Sequence, residues 1–443
     1  MAGVPKPRTV STKQARIAQL AKQMPDEALH SVSHHMDLDW LREAYRRTRK
    51  DGAAGVDGQS ADTFAEDLEG NLQSLLDQAK SGVYRAPPVR RVYIPKGDGT
   101  KVRPIGIPTF GDKVLQRAVK MLLEPIYEQA FCDLSYGFRP GRSTHDALAH
   151  LNEELWAMGG GWVLDVDVSG FFDAMRKDVV RDLLGQRVKD GVVTRLVGKW
   201  LRAGVLEAGV VSHPETGSPQ GGVISPLLSN LYLHEVFDTW WVRDVLPRMR
   251  GRAVAIRYAD DLVLAFADER DARRVHAVLA QRFERYGLSL HPEKTRLVRY
   301  MRPGAGRPEP GSFDFLGFTH YWTRSRRGNW VMKRKTAKDR FSRALTTMNQ
   351  WMKKARHVPL PEQVRQLNEK LRGHYEAYGI PWNSASISRF SHEVKGLWRK
   401  WLARRSQRGL TWATFKRLLA RYPPLPPRLP PKPRQVALPW AKL

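Results

Sequence analysis

Three aspartates in two short segments have the spacing and surroundings of a metal-dependent active site. Asp167 ends the run GWVLDVD, and Asp260 and Asp261 stand side by side in RYADD, with apolar runs before and after them. Adjacent carboxylates repel each other, and anchoring them between apolar strands raises the cost of leaving them unpaired. Divalent cations remove this conflict, and Mg²⁺ prefers hard oxygen ligands. The pattern therefore predicts a site for two Mg²⁺ ions that supports in-line displacement at phosphorus.

Two β elements must position these carboxylates. Alternation along residues 162–167 places Val163, Asp165 and Asp167 on one face of a strand, which we expect to present acid while the other face packs in the core. The apolar runs around Tyr258–Asp261 predict a tight hairpin with two carboxylates at its tip. An acidic surface turn would give the same short pattern, so the neighbouring motifs decide its meaning.

Positive charge is concentrated towards the C-terminus. The chain has 74 Lys+Arg against 45 Asp+Glu, a formal net charge of +29. Residues 321–443 carry 24 of these net charges and eight of the fourteen Trp residues. Phosphate neutralisation combined with flat stacking surfaces favours RNA over a membrane as the partner. A solvated helical face with Trp in its core is the alternative interpretation.

The remaining composition excludes several classes of site. The single cysteine, Cys132, rules out an internal disulfide and every cysteine-rich zinc site. The first residues lack an apolar signal core, and no run of 18 consecutive apolar residues occurs. We therefore expect a cytoplasmic protein without a membrane partner.

Changes in pattern divide the chain into four parts. We expect a mainly helical N-terminal extension in residues 1–88 and a mixed α/β region in 89–320. Residues 321–420 are basic and predict helices, and residues 421–443 form a basic tail whose prolines cannot continue a helix.

One helix of the third part can be predicted in more detail. Phe341, Leu345, Met348 and Met352 recur at helical spacing. This spacing places the four side chains on one apolar face of a single helix.

The order of motifs resembles one family. SYGFRPGRSTHDAL, WVLDVDVSGFFDAM, GSPQGGVISPLLSNLYLHEVFD, RYADDLVL and FDFLGF are similar to successive motifs of group II intron reverse transcriptases/maturases, and the similarity covers most of residues 89–320. The segments at 367–379 and 397–419 resemble that family's thumb or maturase domain. The resemblance implies an α+β fold with right-hand polymerase architecture. Fingers and palm with a central antiparallel sheet would be followed by an α-helical basic thumb/maturase domain.

The resemblance also implies a function. It is that of an RNA-directed DNA polymerase that copies RNA into cDNA and binds its group II intron RNA to assist splicing and mobility. The implied partners are RNA template, intron RNA, a DNA primer or target, and dNTPs. A maturase that only assists splicing remains an alternative, as does a domesticated reverse transcriptase serving defence, CRISPR spacer acquisition or repair.

Five residues take metal and triphosphate roles by this resemblance. Asp167 and Asp260 would be the principal Mg²⁺ ligands, with Asp261 as the third carboxylate. Lys96 and Arg103, in IPKGDGTKVRP, would lie over the incoming triphosphate. Lys and Arg can neutralise the charge that a polyphosphate keeps beside Mg²⁺, although solvated hairpin charges would give the same pattern.

Five further residues take nucleotide and template roles. Gln220 would contact the incoming nucleotide near its sugar, and Phe172 would be the bulky residue that rejects a ribose 2′-hydroxyl. Lys294 would lie near the triphosphate and assist pyrophosphate departure, while Arg139 and Arg142 would face template phosphates. The alternatives are that Gln220 is an ordinary turn residue, that Phe172 packs in the core, and that the two arginines are solvated.

One domain of the family has no counterpart in these residues. Many members carry a C-terminal endonuclease domain of the HNH type built on Cys and His, and the cysteines for it do not occur before Leu443. We therefore expect no nicking of a second DNA strand by these residues.

Overall fold

The computed structural model describes residues 9–96, 101–213, 216, 221–304, 309–405 and 409–429, except the side chains of Lys96 and Lys101. The α-helices in this part of the chain are α1 (Val10–Gln23), α2 (Leu38–Arg47), α3 (Ala61–Ala65), α4 (Leu68–Ser81), α5 (Phe110–Tyr127), α6 (Thr144–Ala157), α7 (Phe171–Ala174), α8 (Lys177–Arg187), α9 (Gly191–Arg202), α10 (Ser225–Leu233), α11 (Glu269–Glu284), α12 (Lys338–Ala355), α13 (Leu360–Tyr378), α14 (Ser384–Leu402) and α15 (Trp412–Arg421). None of these helices is long and apolar enough to cross a bilayer.

The strands of the described residues alternate with these helices, which makes the fold mixed α/β. They are β1 (Val89–Lys96), β2 (Lys101–Ile107), β3 (Trp162–Val166), β4 (Val168–Ser169), β5 (Val205–Glu207), β6 (Val210–Ser212), β7 (Ala253–Tyr258), β8 (Asp261–Phe266), β9 (Ser289–Leu290), β10 (Arg296–Arg299), β11 (Phe313–Phe315), β12 (Phe318–Arg324) and β13 (Trp330–Thr336).

Helix starts follow local sequence signals. The side chain of Ser143 accepts the backbone N–H of Asp146, and the Asp146 side chain accepts the N–H of Ser143, so α6 begins with a capping box. Asp268 caps α11 by accepting two backbone N–H groups. Each such cap stabilises its helix by about 1 kcal/mol.

The central sheet has the strand order β10-β3-β8-β7, and all its neighbours are antiparallel. Leu164 and Val166 of β3 pack into the main hydrophobic core. Val163, on the opposite face, is fully buried in a second core that α6 covers. The expectation of one purely acidic face is therefore wrong for Val163, and only the end of β3 presents acid.

A second sheet has the order β2-β1-β5-β6. Its long antiparallel hairpin pairs Arg90 with Ile107 at one end and Lys96 with Lys101 at the other. Tyr93, Ile94 and Val102 are exposed on this hairpin. Apolar side chains on an exposed hairpin are available to a substrate or a partner.

Strands β11, β12 and β13 form a separate antiparallel sheet before the C-terminal helices. The expected start of the helical part at residue 321 falls inside β12, and helices begin only at Lys338. Phe318, His320 and Trp322 alternate along β12 and are buried against the second core, which explains why this basic segment remains a strand.

Helices α12 to α15 have a hydrophobic core of their own. The face predicted for α12 is confirmed, because Met348 and Met352 are buried and Phe341 and Leu345 pack against the same cluster. Trp398 is fully buried there and donates its indole N–H to Gln363 at 3.0 Å. Part of the tryptophan content is therefore core.

Candidate active site

Asp167 lies at the end of β3, where the chain passes into β4. Its backbone carbonyl accepts the N–H of His291 at 2.8 Å, and its backbone N–H donates to the Thr295 hydroxyl at 3.4 Å. Its carboxylate accepts a hydrogen bond from Lys294 Nζ at 2.8 Å. The segment after β9 thus fixes both the backbone and the side chain of Asp167.

Asp260 and Asp261 lie in the β7–β8 hairpin, as the sequence predicts. Tyr258 pairs with Asp261, so Ala259 and Asp260 form the two-residue turn. Ala259 has a φ of 56°. A non-glycine residue in such a conformation costs about 1–3 kcal/mol, and residues of this kind cluster at functional sites.

Strand pairing brings the two acidic segments together. Val166 of β3 pairs with Leu262 of β8 in antiparallel register. Asp167 follows Val166 and Asp261 precedes Leu262, so the two aspartates are neighbours across adjacent strands. Residues far apart in the sequence therefore meet at one end of the central sheet.

The electrostatics of this sheet end show surplus negative charge. Burial raises the pKa of Asp261 to about 6, and the charges of Asp260 and Asp167 act in the same direction. Arg340 and Arg103 oppose the rise. The residue as a whole is exposed to solvent, while protein atoms crowd its carboxyl. A cation at this position would relieve the repulsion.

Asp165 extends the acidic surface. Burial raises its pKa to about 6, the Arg296 guanidinium 3.7 Å away opposes the rise, and Asp261 and Asp167 add to it. Asp165 has the same residue type and strand face as Asp167, but its partner across the sheet is Arg296. It therefore belongs to the surroundings of the three candidate ligands.

An open pocket of about 330 Å³ lies over these carboxylates. Asp167, Asp261, Gly317 and Arg340 are among the residues that line it. In the described part of the chain, no three His, Cys, Asp or Glu side chains converge tightly enough to enclose a metal ion on their own. The carboxylates form an open acidic wall.

A buried ion pair supports the aspartate turn from below. Arg257, the last residue before Tyr258, donates to both carboxylate oxygens of Asp238 at 2.7 and 2.6 Å. Its third nitrogen donates to Asn230 Oδ1 at 3.0 Å and to the carbonyl of Ala259 at 3.2 Å. Arg257 and Asp238 are almost completely buried. The charged pair thus holds the strained turn residue directly.

The loop before α6 supports the same turn. Tyr136 N donates to the Arg257 carbonyl, and Arg257 N donates to the Leu134 carbonyl, both at 2.8 Å. Asn230 donates to the Gly137 carbonyl at 2.7 Å. A Cβ atom at Gly137 would lie 2.3 Å from the backbone N of Ala259. Only glycine fits where this loop crosses the aspartate turn.

Sequence reasoning places Lys96, Arg103 and Gln220 around an incoming nucleotide. Arg103 is exposed on β2 and close enough to lower the pKa of Asp261. The Lys96 side chain and Gln220 lie outside the described residues. Gly221 follows Gln220, and a Cβ atom there would lie 2.5 Å from the Gly106 carbonyl, so this loop passes against β2.

A buried carboxyl lies beneath the loop that follows Gln220. Burial raises the pKa of Asp112 to about 6 against hydrogen bonds from Tyr84, Trp200 and Gln116. Gln116 Oε1 also accepts the backbone N–H of Ile224 at 3.3 Å. Asp112 therefore orients the side chain that fixes the start of α10.

Phe172 and its neighbour Phe171 have different environments. Phe171 is buried in the main core, while Phe172 is half-buried against the same cluster, with the ring centroids 5.3 Å apart. They begin α7, shortly after Asp167 and Val168. Phe172 keeps a partly exposed ring, and Phe171 provides the anchoring.

Arg139 and Arg142, both expected to face template phosphates, have different environments. The Arg139 guanidinium is buried, forms a 3.0 Å ion pair with Glu128, and donates to two backbone carbonyls. Arg142 is partly exposed and forms a 2.6 Å ion pair with Asp133. Arg139 therefore serves the fold, because all its nitrogens have partners within the protein. Only Arg142 keeps an edge towards solvent.

Sequence reasoning missed three residues that shape this site: Arg257, Asp238 and Arg340. Arg257 offers a signal, because it is a charged residue inside the apolar run AVAIRY. A charged group at such a position requires a buried partner. Asp238 and Arg340 have no comparable signal, since their roles depend on how distant helices pack.

Comparisons with known proteins identify the family of the chain. A family model described as reverse transcriptase (RNA-dependent DNA polymerase) matches residues 94–320, about half of the chain. "Protein YkfC" of Escherichia coli is 39% identical over 257 residues, covering 51% of this chain and 67% of that protein.

Two relatives carry intron-related names. The "Group II intron-encoded protein LtrA" of Lactococcus lactis is 42% identical over 224 residues, covering 50% of this chain but 37% of that protein. "Nuclear intron maturase 1, mitochondrial" of Arabidopsis thaliana is 33% identical over 129 residues, covering 28% of this chain and 18% of that protein. The family model spans the segments that contain Asp167, Asp260 and Asp261. Because it matches about half of the chain, the chain belongs to the reverse transcriptase family.

Proposed function

We propose that this protein is an RNA-directed DNA polymerase that copies RNA into cDNA, binds a group II intron RNA, and assists the splicing and mobility of that RNA. The observation that carries the polymerase proposal is the meeting of Asp167 with Asp260 and Asp261 at one end of the central sheet. Membership of the reverse transcriptase family supports the same reaction.

The three aspartates fit a divalent metal centre. Burial raises the pKa of Asp261, the charges of Asp260 and Asp167 add to the rise, and a bound cation would relieve this repulsion. In this proposal Asp167, Asp260 and Asp261 would hold two Mg²⁺ ions. When bound, such ions activate an attacking hydroxyl and stabilise the charge on a leaving pyrophosphate. The network around Arg257 would keep the two turn carboxylates in position.

Side chains around the pocket would bind the nucleotide. The charges of Arg103 and Arg340 both lower the pKa of Asp261, and both side chains could pair with phosphate oxygens. Lys294, now hydrogen-bonded to Asp167, could donate to the departing pyrophosphate. Lys96 and Gln220 belong to the same proposal on sequence grounds. The half-buried ring of Phe172 would exclude a ribose 2′-hydroxyl.

The proposal assigns the parts of a right-hand polymerase to the fold. The β2-β1-β5-β6 sheet would belong to the fingers and the central sheet to the palm, within residues 89–320. Helices α12 to α15 would form the thumb or maturase domain of residues 321–420. Residues 1–88 would be the N-terminal extension, and residues 421–443 a basic tail. Arg142 would lie beside the template.

The proposal that the protein binds an intron RNA is supported by the positive charge of the C-terminal part and by the names of two related proteins. The basic excess of residues 321–443 suits the phosphates of a folded RNA. Two relatives are named for an intron-encoded protein and an intron maturase. A protein that binds the folded intron RNA more tightly than the unfolded RNA stabilises the folded state, and the difference between the two affinities sets the size of the effect.

Two reactions with one protein preparation test both halves. The first extends a DNA primer on an RNA template with dNTPs and Mg²⁺, and the second follows splicing of the intron that encodes the protein at low Mg²⁺. Activity in both supports the complete proposal. Splicing without cDNA would replace it with the maturase alternative. cDNA without acceleration of splicing would leave the domesticated reverse transcriptase.

A further inference from the structure

Trp382 occupies an unusual position in the turn between α13 and α14. Its φ is 74°, which a residue with a side chain rarely adopts, and 56% of the residue is exposed. Backbone strain of this kind costs about 1–3 kcal/mol. An exposed indole gains little from burial that could offset such a cost. Folding alone therefore does not explain why tryptophan occupies this position.

The turn is fixed by the residue that follows. Asn383 is fully buried and accepts the backbone N–H of Thr336 at 2.9 Å. Its amide donates to the Thr336 hydroxyl at 2.9 Å and to the Tyr378 carbonyl at 2.8 Å. These bonds tie the turn to the end of β13, so Trp382 is held in one place beside that strand.

Trp382 borders the outer face of the β12–β13 hairpin. Phe318 and His320 point into the second core, so Thr319 and Tyr321 occupy the opposite face of β12. The Nζ of Lys335 lies 4.8 Å from the centre of the Tyr321 ring. The Nζ of Lys333 lies 5.8 Å from the centre of the Trp382 ring. Two aromatic rings and two ammonium groups therefore share one face.

The charge of the segment that forms β12 and β13 is of one sign. No Asp or Glu occurs between residues 315 and 338, a segment with three Lys and four Arg. Arg326 and Arg327 are exposed at the turn of the hairpin. A surface of this sign attracts phosphates, and its aromatic rings offer stacking faces for bases.

We propose that Tyr321, Lys333, Lys335 and Trp382 form a stacking surface that binds unpaired nucleotides of an RNA strand. The inference rests on the proposed function, because it places this surface beside the path of the RNA. Gly317 lines the catalytic pocket, and Tyr321 lies four residues further along the chain, or about 13 Å at 3.3 Å per residue. One strand could therefore contact both sites.

The test measures the binding of a fluorescently labelled single-stranded RNA to the full chain by anisotropy, at several salt concentrations. Trp382→Gly should weaken binding about fivefold or more, because stacking on an aromatic side chain contributes on that scale per base. Glycine adopts the local φ freely, so the melting temperature should not fall below that of the wild type. Trp382→Phe should restore most of the affinity.

Lys333 and Lys335 should affect the salt dependence of RNA binding. Lys333→Ala/Lys335→Ala should lower the slope of log affinity against log salt by about 1.4, since each phosphate contact with a single strand contributes about 0.7. Trp382→Gly should leave this slope unchanged. Blunt-ended RNA duplex should lose less affinity than single-stranded RNA in the Trp382 variant, because its bases are already stacked.

Trp156→Ala is the matched control, because Trp156 is 58% exposed on α6, a different part of the surface. Equal RNA affinity of wild type and Trp382→Gly, or an equal loss in the Trp156 control, would overturn the stacking surface. The polymerase proposal would then stand if primer extension is intact. If RNA affinity depends on Trp382 but the wild type makes no cDNA, the polymerase proposal would be overturned and the stacking surface would stand.

Discussion

The ion pair between Arg257 and Asp238 allows stability and activity to be separated. Replacing Arg257 by Met keeps the volume of the side chain but leaves the Asp238 carboxylate buried without its partner. Removing one member of a buried pair costs about 3–5 kcal/mol. Exchanging both members for apolar residues, as in Arg257→Met/Asp238→Leu, should restore much of this loss, because neither charge remains.

The pH dependence of the single variant follows from Asp238. Burial by itself raises the pKa of Asp238, but the charge and hydrogen bonds of Arg257, aided by His234, hold it below its usual range. In the wild type the stabilisation by this carboxylate is present above the unfolded pKa and is lost as pH falls through the folded pKa. In Arg257→Met the pKa rises above the unfolded value, so destabilisation grows with pH. The stability difference should therefore shrink from neutral pH towards about pH 4.

Urea unfolding at several pH values measures these differences in stability. Primer extension over a Mg²⁺ titration measures how much Mg²⁺ each variant needs for activity. The double variant should fold, yet it should need more Mg²⁺ than the wild type, because the Ala259 carbonyl loses its hydrogen bond from Arg257. An unchanged Mg²⁺ requirement in a stable double variant would refute the idea that Arg257 positions the aspartate turn.

Three further predictions concern single residues. Phe172→Ala should raise the incorporation of ribonucleotides relative to deoxynucleotides about tenfold or more, and unchanged selectivity in single-nucleotide incorporation would argue against its proposed role. Because the pKa of Asp261 is about 6, protons should compete with Mg²⁺ as pH falls towards about 5.5, and a Mg²⁺ requirement independent of pH would contradict this. Arg139→Met should cost about 3–5 kcal/mol in urea unfolding, whereas Arg142→Ala, with an exposed partner, should cost under about 1 kcal/mol. Equal losses would show that burial does not distinguish the two arginines.

The aspartate hairpin and the face of α12 could be predicted because each depends on local spacing. Two apolar runs separated by two residues leave a hairpin as the simplest arrangement, and Tyr258 does pair with Asp261. Met348 and Met352 recur at helical spacing and are buried together. In both cases the hydrophobic pattern alone determines which side faces the core.

Long-range packing explains what could not be predicted. The loop containing Arg139 is rich in Gly and Pro and reads as exposed, yet Glu128 on the preceding segment draws the guanidinium inside. The partnership of Arg257 with Asp238 depends on the π-helical turn at His234–Thr239. The basic sequence of β13 predicts that it belongs to the helical region, and only its pairing with β12 shows that it is a strand.

In the proposed function, Asp167, Asp260 and Asp261 form the metal centre of an RNA-directed DNA polymerase. Extension of a DNA primer on an RNA template, compared between wild type and Asp260→Ala/Asp261→Ala, tests it most directly. Asp62→Ala/Glu66→Ala removes two exposed charges from the α3 region and serves as the control. We expect synthesis by the wild type and the control and none by the aspartate variant. Undiminished synthesis by the aspartate variant, or none by wild-type protein that binds the template, would contradict it.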